Sequence, residues 1–257
     1  MSAFTVALAG KGGTGKTSIA GLTVRYIVEK RKAPALAVDA DPNNCFNEAL
    51  GVDVHATIGG LREEALATIR DGSERPGGMS MEQIFDYQVQ QSIIEAKGFD
   101  LMVMGRPEGP GCYCAANNII RKYSDKLSDQ YKYVVIDNEA GMEHLSRRTT
   151  HGVDLMLIIS DPTVRGIKTA ERINILVDEL DLDVKERVLI INRISGEEGE
   201  KLSSIAEGLG LKVAGLVPQD EVIFRNDLEG KPIYSLPEEE SIAVGRVFKI
   251  LDDLKIP

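Results

Sequence analysis

Short continuous apolar runs alternate with amphipathic stretches along the chain. "FTVALAG" (4–10), "PALAVDA" (34–40), "FDLMVMG" (99–105), "YKYVVID" (131–137), "VDLMLIIS" (153–160), "ERVLIIN" (186–192) and "KVAGLVP" (212–218) read as strands. Their unbroken apolar character suits strands buried on both faces of a parallel sheet. Between them lie helical patterns such as "KTSIAGLTVRYIVEK" (16–30) and "GIKTAERINILVDEL" (166–180), and "MEQIFDYQVQQSIIE" reads as a short helix. This alternation predicts an α/β fold, a doubly wound, mostly parallel sheet flanked by helices, with sites at the carboxyl ends of the strands. "DGSERPGGMS" (71–80) reads as a loop or surface excursion. No repeat, low-complexity tract or linker interrupts the pattern, so residues 1–257 are expected to form one domain.

Composition narrows the classes of function. The formal net charge is −10, which argues against a general nucleic-acid-binding surface and weakly against anionic lipid. Three cysteines in 257 residues do not make a disulfide framework, and no signal peptide or membrane-spanning run is evident. A cytoplasmic protein with reduced thiols is expected.

The strongest chemical signal is "GKGGTGKT" (10–17), which fits G-x-x-x-x-G-K-[ST] between a strand and a helix. Backbone N–H groups of such a loop surround phosphates, and the helix N-terminus favours anions. The expected nucleotide-binding set is Gly10, Gly12, Gly13, Thr14, Gly15, Lys16, Thr17 and Ser18. Lys16 would reach the β- and γ-phosphates and Thr17 would ligate Mg²⁺.

"KGGTGKT" also resembles the deviant Walker A loop of the nitrogenase iron protein, MinD and ParA superfamily. The resemblance implies that Lys11 contacts nucleotide bound to the opposite subunit of a homodimer. "VDADPNN" (38–44) resembles the superfamily's switch I: Asp41 would orient the attacking water and Asp39 would support the Mg²⁺ or water network. "YVVIDNEAG" (133–141) resembles its Walker B strand running into switch II, with Asp137 holding Mg²⁺ through water and Glu139 and Gly141 in the moving segment. "LIINRIS" (189–195) lacks the Asn-Lys-x-Asp pattern of guanine-specific GTPases. Asn192 resembles the superfamily's adenine-recognising asparagine, and "VPQDEVI" (217–223), with Pro218 and Asp220, its base-covering loop. ATP with Mg²⁺ is the expected cofactor.

"GPGCYCAANN" (109–118) holds two of the three cysteines. Residues i and i+2 share a side in an extended segment, so Cys112 and Cys114 offer two thiolates, half of a tetrahedral metal site. A two-fold dimer would complete it with four. The spacing leaves open two small loop residues, or an iron–sulfur cluster bridging two chains. Cys45 is expected to be an ordinary buried thiol. His144 reads as a polar helix residue or an aid to metal transfer; His55 and His151 carry no usable signal.

"GCYCAANN" together with "DNEAGMEHLSRRT" (137–149) resembles the CooC family of nickel-insertion ATPases, which mature carbon monoxide dehydrogenase, a close branch serving acetyl-CoA synthase. The resemblance implies an ATP-dependent metallochaperone with Ni²⁺ or Zn²⁺ bound by Cys112 and Cys114 at the dimer interface, and a client nickel enzyme as partner. Two other functions compete. A MinD/ParA-like positioning ATPase would use a basic amphipathic tail, but "SIAVGRVFKILDDLKIP" (241–257) carries Asp252 and Asp253 and is expected to pack on the domain. A redox protein with an interchain cluster is the other. Neither nucleic acid nor membrane is an expected partner.

Overall fold

The computed structural model describes residues 3–43, 45–70, 80–105, 130–138 and 152–257. Strand β1 (Phe4–Gly10) leads into α1 (Lys16–Tyr26), which widens into a π-helical turn at Ile27–Arg31. β2 (Ala35–Asp39), α2 (Phe46–Leu50), α3 (Ile58–Arg70) and α4 (Met81–Ser92) follow, then β3 (Ile94–Glu95), β4 (Phe99–Val103) and β5 (Tyr133–Asp137). The second half runs β6 (Val153–Ser160), α5 (Val164–Glu179), β7 (Val184–Ile194), α6 (Glu198–Gly208), β8 (Val213–Pro218), α7 (Glu221–Leu228) and α8 (Ile242–Asp253). The described strands form one sheet in the order β3-β4-β2-β5-β1-β6-β7-β8. All pairings are parallel except β3 with β4.

Alternate residues of the central strands feed two separate cores, as the two-residue strand period requires. Val6 and Leu8 of β1 join Ile19, Leu22 and Tyr26 of α1 and Val244, Val247 and Phe248 of α8 on one face. Ala7 and Ala9 join Ile58 of α3, Ile167, Ile173 and Val177 of α5 and Leu202 of α6 on the other. Continuous apolar runs are the signature of strands buried on both sides, and these strands are so buried.

The C-terminal helix is part of this core. Val244, Val247, Phe248 and Leu251 of α8 are each no more than 2% exposed. Burying each such side chain contributes about 1.5–3 kcal/mol. Tyr26 Oη donates to Asp252 Oδ1 (2.5 Å), and the buried Arg25 guanidinium donates to the Leu236 carbonyl while lying 5.5 Å from the Phe248 ring centre. Asp252 of the tail therefore faces α1, Asp253 pairs with Lys249 of its own helix (3.0 Å), and the tail's apolar face is buried in the core. Among the described residues no helix is long and apolar enough to cross a membrane.

Candidate functional site

Parallel pairing of β2, β5 and β1 brings three strand ends together. Asp39 is in register with Asp137 across β2–β5, and Leu8 with Asp137 across β5–β1. Two carboxylates and the loop leaving Gly10 thus meet at one point of the sheet's carboxyl edge, far apart though they are in sequence.

The loop between β1 and α1 is tightly constrained. Gly10 has φ +152°, and a Cβ there would lie 2.3 Å from the Ile159 carbonyl oxygen. Gly15 caps α1 at φ +88°, where a Cβ would meet Asn192 Nδ2 at 2.4 Å. Both positions demand glycine. The Thr14 hydroxyl donates to the Lys11 carbonyl (2.9 Å), and the buried Lys16 Nζ lies 3.3 Å from the same oxygen. Lys16 is the first residue of α1, so its ammonium is folded back over the loop. Lys11, Gly12 and Gly13 are exposed.

Asp39 is fully buried. Its Oδ1 accepts from the Asp41 N–H (3.0 Å) and its Oδ2 from the Phe46 N–H (3.1 Å), which pins the chain that follows β2. Burial raises its carboxyl to about 7, although those hydrogen bonds favour the anion, and the nearby Asp137 and Asp41 charges push the same way as burial. Burial likewise raises Asp137 to about 6, against the Thr17 hydrogen bond and the Lys16 charge. Asp41 is half-buried, and its Oδ1 accepts from both the backbone N–H (2.8 Å) and the side-chain amide (3.0 Å) of Asn43.

Asp137 Oδ1 is buried and has no hydrogen-bond partner among the described residues. An orphaned carboxylate oxygen beside a threonine hydroxyl is a hard-oxygen donor set, and it suits a hydrated Mg²⁺ accompanying a phosphate chain. The residues present therefore fit the group that the loop motif implies.

On one side of α1's first turn is a cavity of about 500 Å³ lined by Ser18, Asn192, Arg193, Pro218, Asp220 and Phe224, among others. Its size and partly apolar lining suit a nucleobase. Asn192 is buried; its Nδ2 donates to the Thr14 carbonyl (2.8 Å) and its Oδ1 accepts from the Arg193 N–H (3.0 Å). Asp220 caps α7 by accepting from the Val222 N–H (2.8 Å). Its other oxygen accepts from the Ser241 hydroxyl (2.8 Å) and the Ala243 N–H (3.1 Å) at the start of α8. Burial opposes the charge, but these bonds hold the carboxyl below its ordinary range. Asp220 is thus a tie between two helices at the cavity wall.

A second cavity, about 580 Å³, shares Ser18, Asp227 and Ile233 with the first and is also lined by Thr17, Cys45, Asn47 and Lys231. Cys45, expected to be buried, is exposed at the residue preceding α2. The Asp39 carboxylate holds the Phe46 N–H, so Phe46 and not Cys45 is the residue that enters the core. Burial of the sulfur and the neighbouring Glu48 and Asp41 carboxylates raise its thiol above the ordinary value.

Cys112, Cys114, Glu139, Gly141, His144, His151 and most of the 71–80 loop lie outside the described residues. Among the described residues no cluster of three or more His, Cys, Asp or Glu could hold a metal ion. The sequence reading missed two site residues. Asn138, buried beside Asp137, donates from Nδ2 to the Leu8 carbonyl (2.8 Å) and ties β5 to β1. Arg193 donates from Nη1 to the Gly13 carbonyl (2.9 Å). Each follows a residue that was singled out, and that adjacency was the available signal.

Comparison with known proteins agrees with this geometry. Residues 5–233 match the family described as the CobQ/CobB/MinD/ParA nucleotide binding domain. An uncharacterized ATP-binding protein of Methanocaldococcus jannaschii is 42% identical over 237 residues, covering 92% of this chain and 93% of that protein. The carbon monoxide dehydrogenase accessory protein CooC of Rhodospirillum rubrum is 30% identical over 241 residues, covering 90% and 89% of the two chains. In fold, the chain is similar to a ParA family ATPase from Chlorobium tepidum, with a TM-score of 0.72 over 97% of this chain and 98% of that one at 15% identity. A glycine-bound loop, a buried lysine and two carboxylates at adjoining strand ends are what a nucleotide triphosphate requires, and the matched segment contains all of them. The chain belongs to the CobQ/CobB/MinD/ParA nucleotide-binding family.

Proposed function

We propose that the protein hydrolyses ATP and uses the cycle to deliver nickel to a client metalloenzyme, carbon monoxide dehydrogenase or acetyl-CoA synthase. The observation that carries the delivery role is the C-x-C pair, Cys112 and Cys114, in a chain 30% identical to a CooC accessory protein.

In the hydrolytic step the loop N–H groups and the Lys16 ammonium neutralise the phosphate chain, Lys16 most strongly as charge develops on the β–γ bridge. Asp41 positions the attacking water. Thr17 and Asp137 would hold Mg²⁺, which would supply charge neutralisation along the phosphate chain. Asn192 and the β8–α7 turn at Pro218 face the adenine. Lys11 reaches the nucleotide of a second copy, so ATP favours a closed homodimer. In that dimer Cys112 and Cys114 of both copies share one Ni²⁺ or Zn²⁺ as cargo, and hydrolysis releases it to the client. Thiolate ligation makes loading weaker as pH falls.

A second reading, a positioning ATPase, is favoured by the similarity to septum site-determining protein MinD of Bacillus subtilis, 24% identical over 245 residues. The burial of the C-terminal helix argues against a membrane anchor there. Metal titration with and without ATP, read together with oligomer state, separates the two. A single ion per pair of chains, lost in Cys112→Ser and Cys114→Ser with ATP binding intact, is expected. A tightly bound ion per monomer that survives both substitutions, or no thiolate metal at all, would reject the delivery role.

A further inference from the structure

Two neighbouring residues at the end of β7 grip two successive peptide groups of the phosphate loop. Asn192 Nδ2 donates to the Thr14 carbonyl (2.8 Å) and Arg193 Nη1 to the Gly13 carbonyl (2.9 Å). Consecutive side chains of a regular strand point to opposite faces. Here both reach the same loop, because Arg193 sits at φ +60° and the β7–β8 register is irregular between Ile191 and Ile194. A left-handed residue in such an irregularity re-aims the chain. Arginine is disfavoured in that backbone conformation, which places a local cost at the one point where the guanidinium meets the loop.

The grip has a directional consequence. In a planar trans peptide the C=O and the following N–H point in opposite directions. Holding the Gly13 carbonyl toward Arg193 turns the Thr14 N–H the other way, and holding the Thr14 carbonyl does the same for the Gly15 N–H. These are among the donors that the phosphate loop presents to an anion.

We propose that Arg193 is a positioning residue for the nucleotide's phosphates: it orients the Gly13–Thr14 peptide from outside the loop and, although it lines the base cavity, contributes to phosphate affinity and not to base choice. The proposal rests on the nucleotide-binding reading of the site. It assigns Arg193 and Asn192 different tasks within one dipeptide. Asn192 is buried and can present its amide to the base, whereas the exposed guanidinium reaches the Gly13 carbonyl.

The test uses the full-length protein with Arg193→Gly and Arg193→Lys. Affinities for Mg-ATP, Mg-GTP and inorganic tripolyphosphate are measured by calorimetry or by displacement of a fluorescent ATP analogue. Arg193→Gly is expected to weaken ATP and tripolyphosphate by the same factor, roughly tenfold for one charge-assisted hydrogen bond. The ATP/GTP ratio should stay constant. The melting temperature should hold or rise, because glycine accepts the left-handed backbone. Arg193→Lys, which keeps one charged donor, should recover part of the loss. Loss of ATP affinity with tripolyphosphate unchanged would make Arg193 a base contact and overturn the proposal, as would unchanged affinity for both or a parallel fall in melting temperature. A wild-type protein that binds neither ATP nor tripolyphosphate would overturn the nucleotide reading itself, and this proposal with it.

Discussion

On the proposed function, substitutions of individual side chains at the loop and strand ends are expected to separate binding from turnover. Lys16 is buried against the loop that would hold the phosphates it neutralises, so Lys16→Ala should lower the rate of ATP hydrolysis by about 100-fold or more, read in a phosphate-release assay. Asp41 is held by Asn43 at the rim, not by the loop, so Asp41→Ala should leave Mg-ATP affinity within about threefold while turnover falls about 100-fold. Wild-type turnover in that variant would reject the water-orienting role. The buried carboxylates also make a pH prediction. Asp39 titrates at about 7 in the folded protein, above the unfolded value of about 3.9. Between those values the folded state binds more protons than the unfolded chain, so stability falls as pH rises through that window and is lowest above about 7. Asp137, at about 6, acts in the same direction. Without nucleotide and Mg²⁺ the protein should melt at a higher temperature near pH 6 than near pH 8. Mg-ATP should narrow the difference by compensating both charges. A calorimetric profile rising from pH 6 to 8 would contradict this. Legibility at this scale was uneven: the loop motif displays Lys16 in the sequence, but the orphaned Asp137 oxygen and the left-handed Arg193 exist only once β5, β1, β6 and β7 are assembled in one sheet.

At the scale of elements, legibility followed burial. β1 and β6 lie where the apolar runs put them, because both faces of each strand are covered. β7 extends past its apolar stretch to Val184–Ile194, since its early residues Lys185, Glu186 and Arg187 sit in the less buried part of the strand and carry surface ion pairs. α7 left no apolar signature because it buries none of its residues, yet it walls the cavity beside Asn192 with Ile223 and Phe224. It is fastened chiefly at its start by Asp220, which caps it and also holds Ser241 and Ala243 of the next helix. Asp220→Ala should therefore cost about 1–3 kcal/mol of stability. It should also raise the KM for ATP while leaving kcat largely unchanged, since the phosphate end is untouched. A variant with unaltered melting temperature and KM would show that α7 is held by other means.

Across the whole molecule, the charge balance, the buried tail and the exposed loop lysine all bear on assembly. With a net charge of −10 two copies repel at long range, and a lysine at a dimer interface would offset part of that repulsion. Lys11 is exposed on the loop's outer side, whereas Lys16 is buried within it. If Lys11 acts on the partner's nucleotide, ATP should shift the wild-type protein from monomer to dimer in sedimentation. Lys11→Ala should bind ATP with similar affinity yet remain monomeric. ATP-driven dimerisation equal to wild type in that variant would remove Lys11 from the interface.

Sequence alone determined the alternation of strands and helices, the phosphate loop and the two strand-end aspartates. Each is written in local pattern: continuous apolar runs report burial on both faces, and a glycine-rich loop between strand and helix reports its own backbone. Tertiary structure alone decided which of these meet. The order β2-β5-β1 sets Asp39 and Asp137 in register beside the loop, and their burial there is what raises their carboxyls. It also decided that Cys45 is exposed, that Asp220 joins two helices and that Asn192 and Arg193 grip the loop from a strand some 180 residues away. Contacts of such long sequence separation depend on strand order and register, which a single chain's local pattern does not encode.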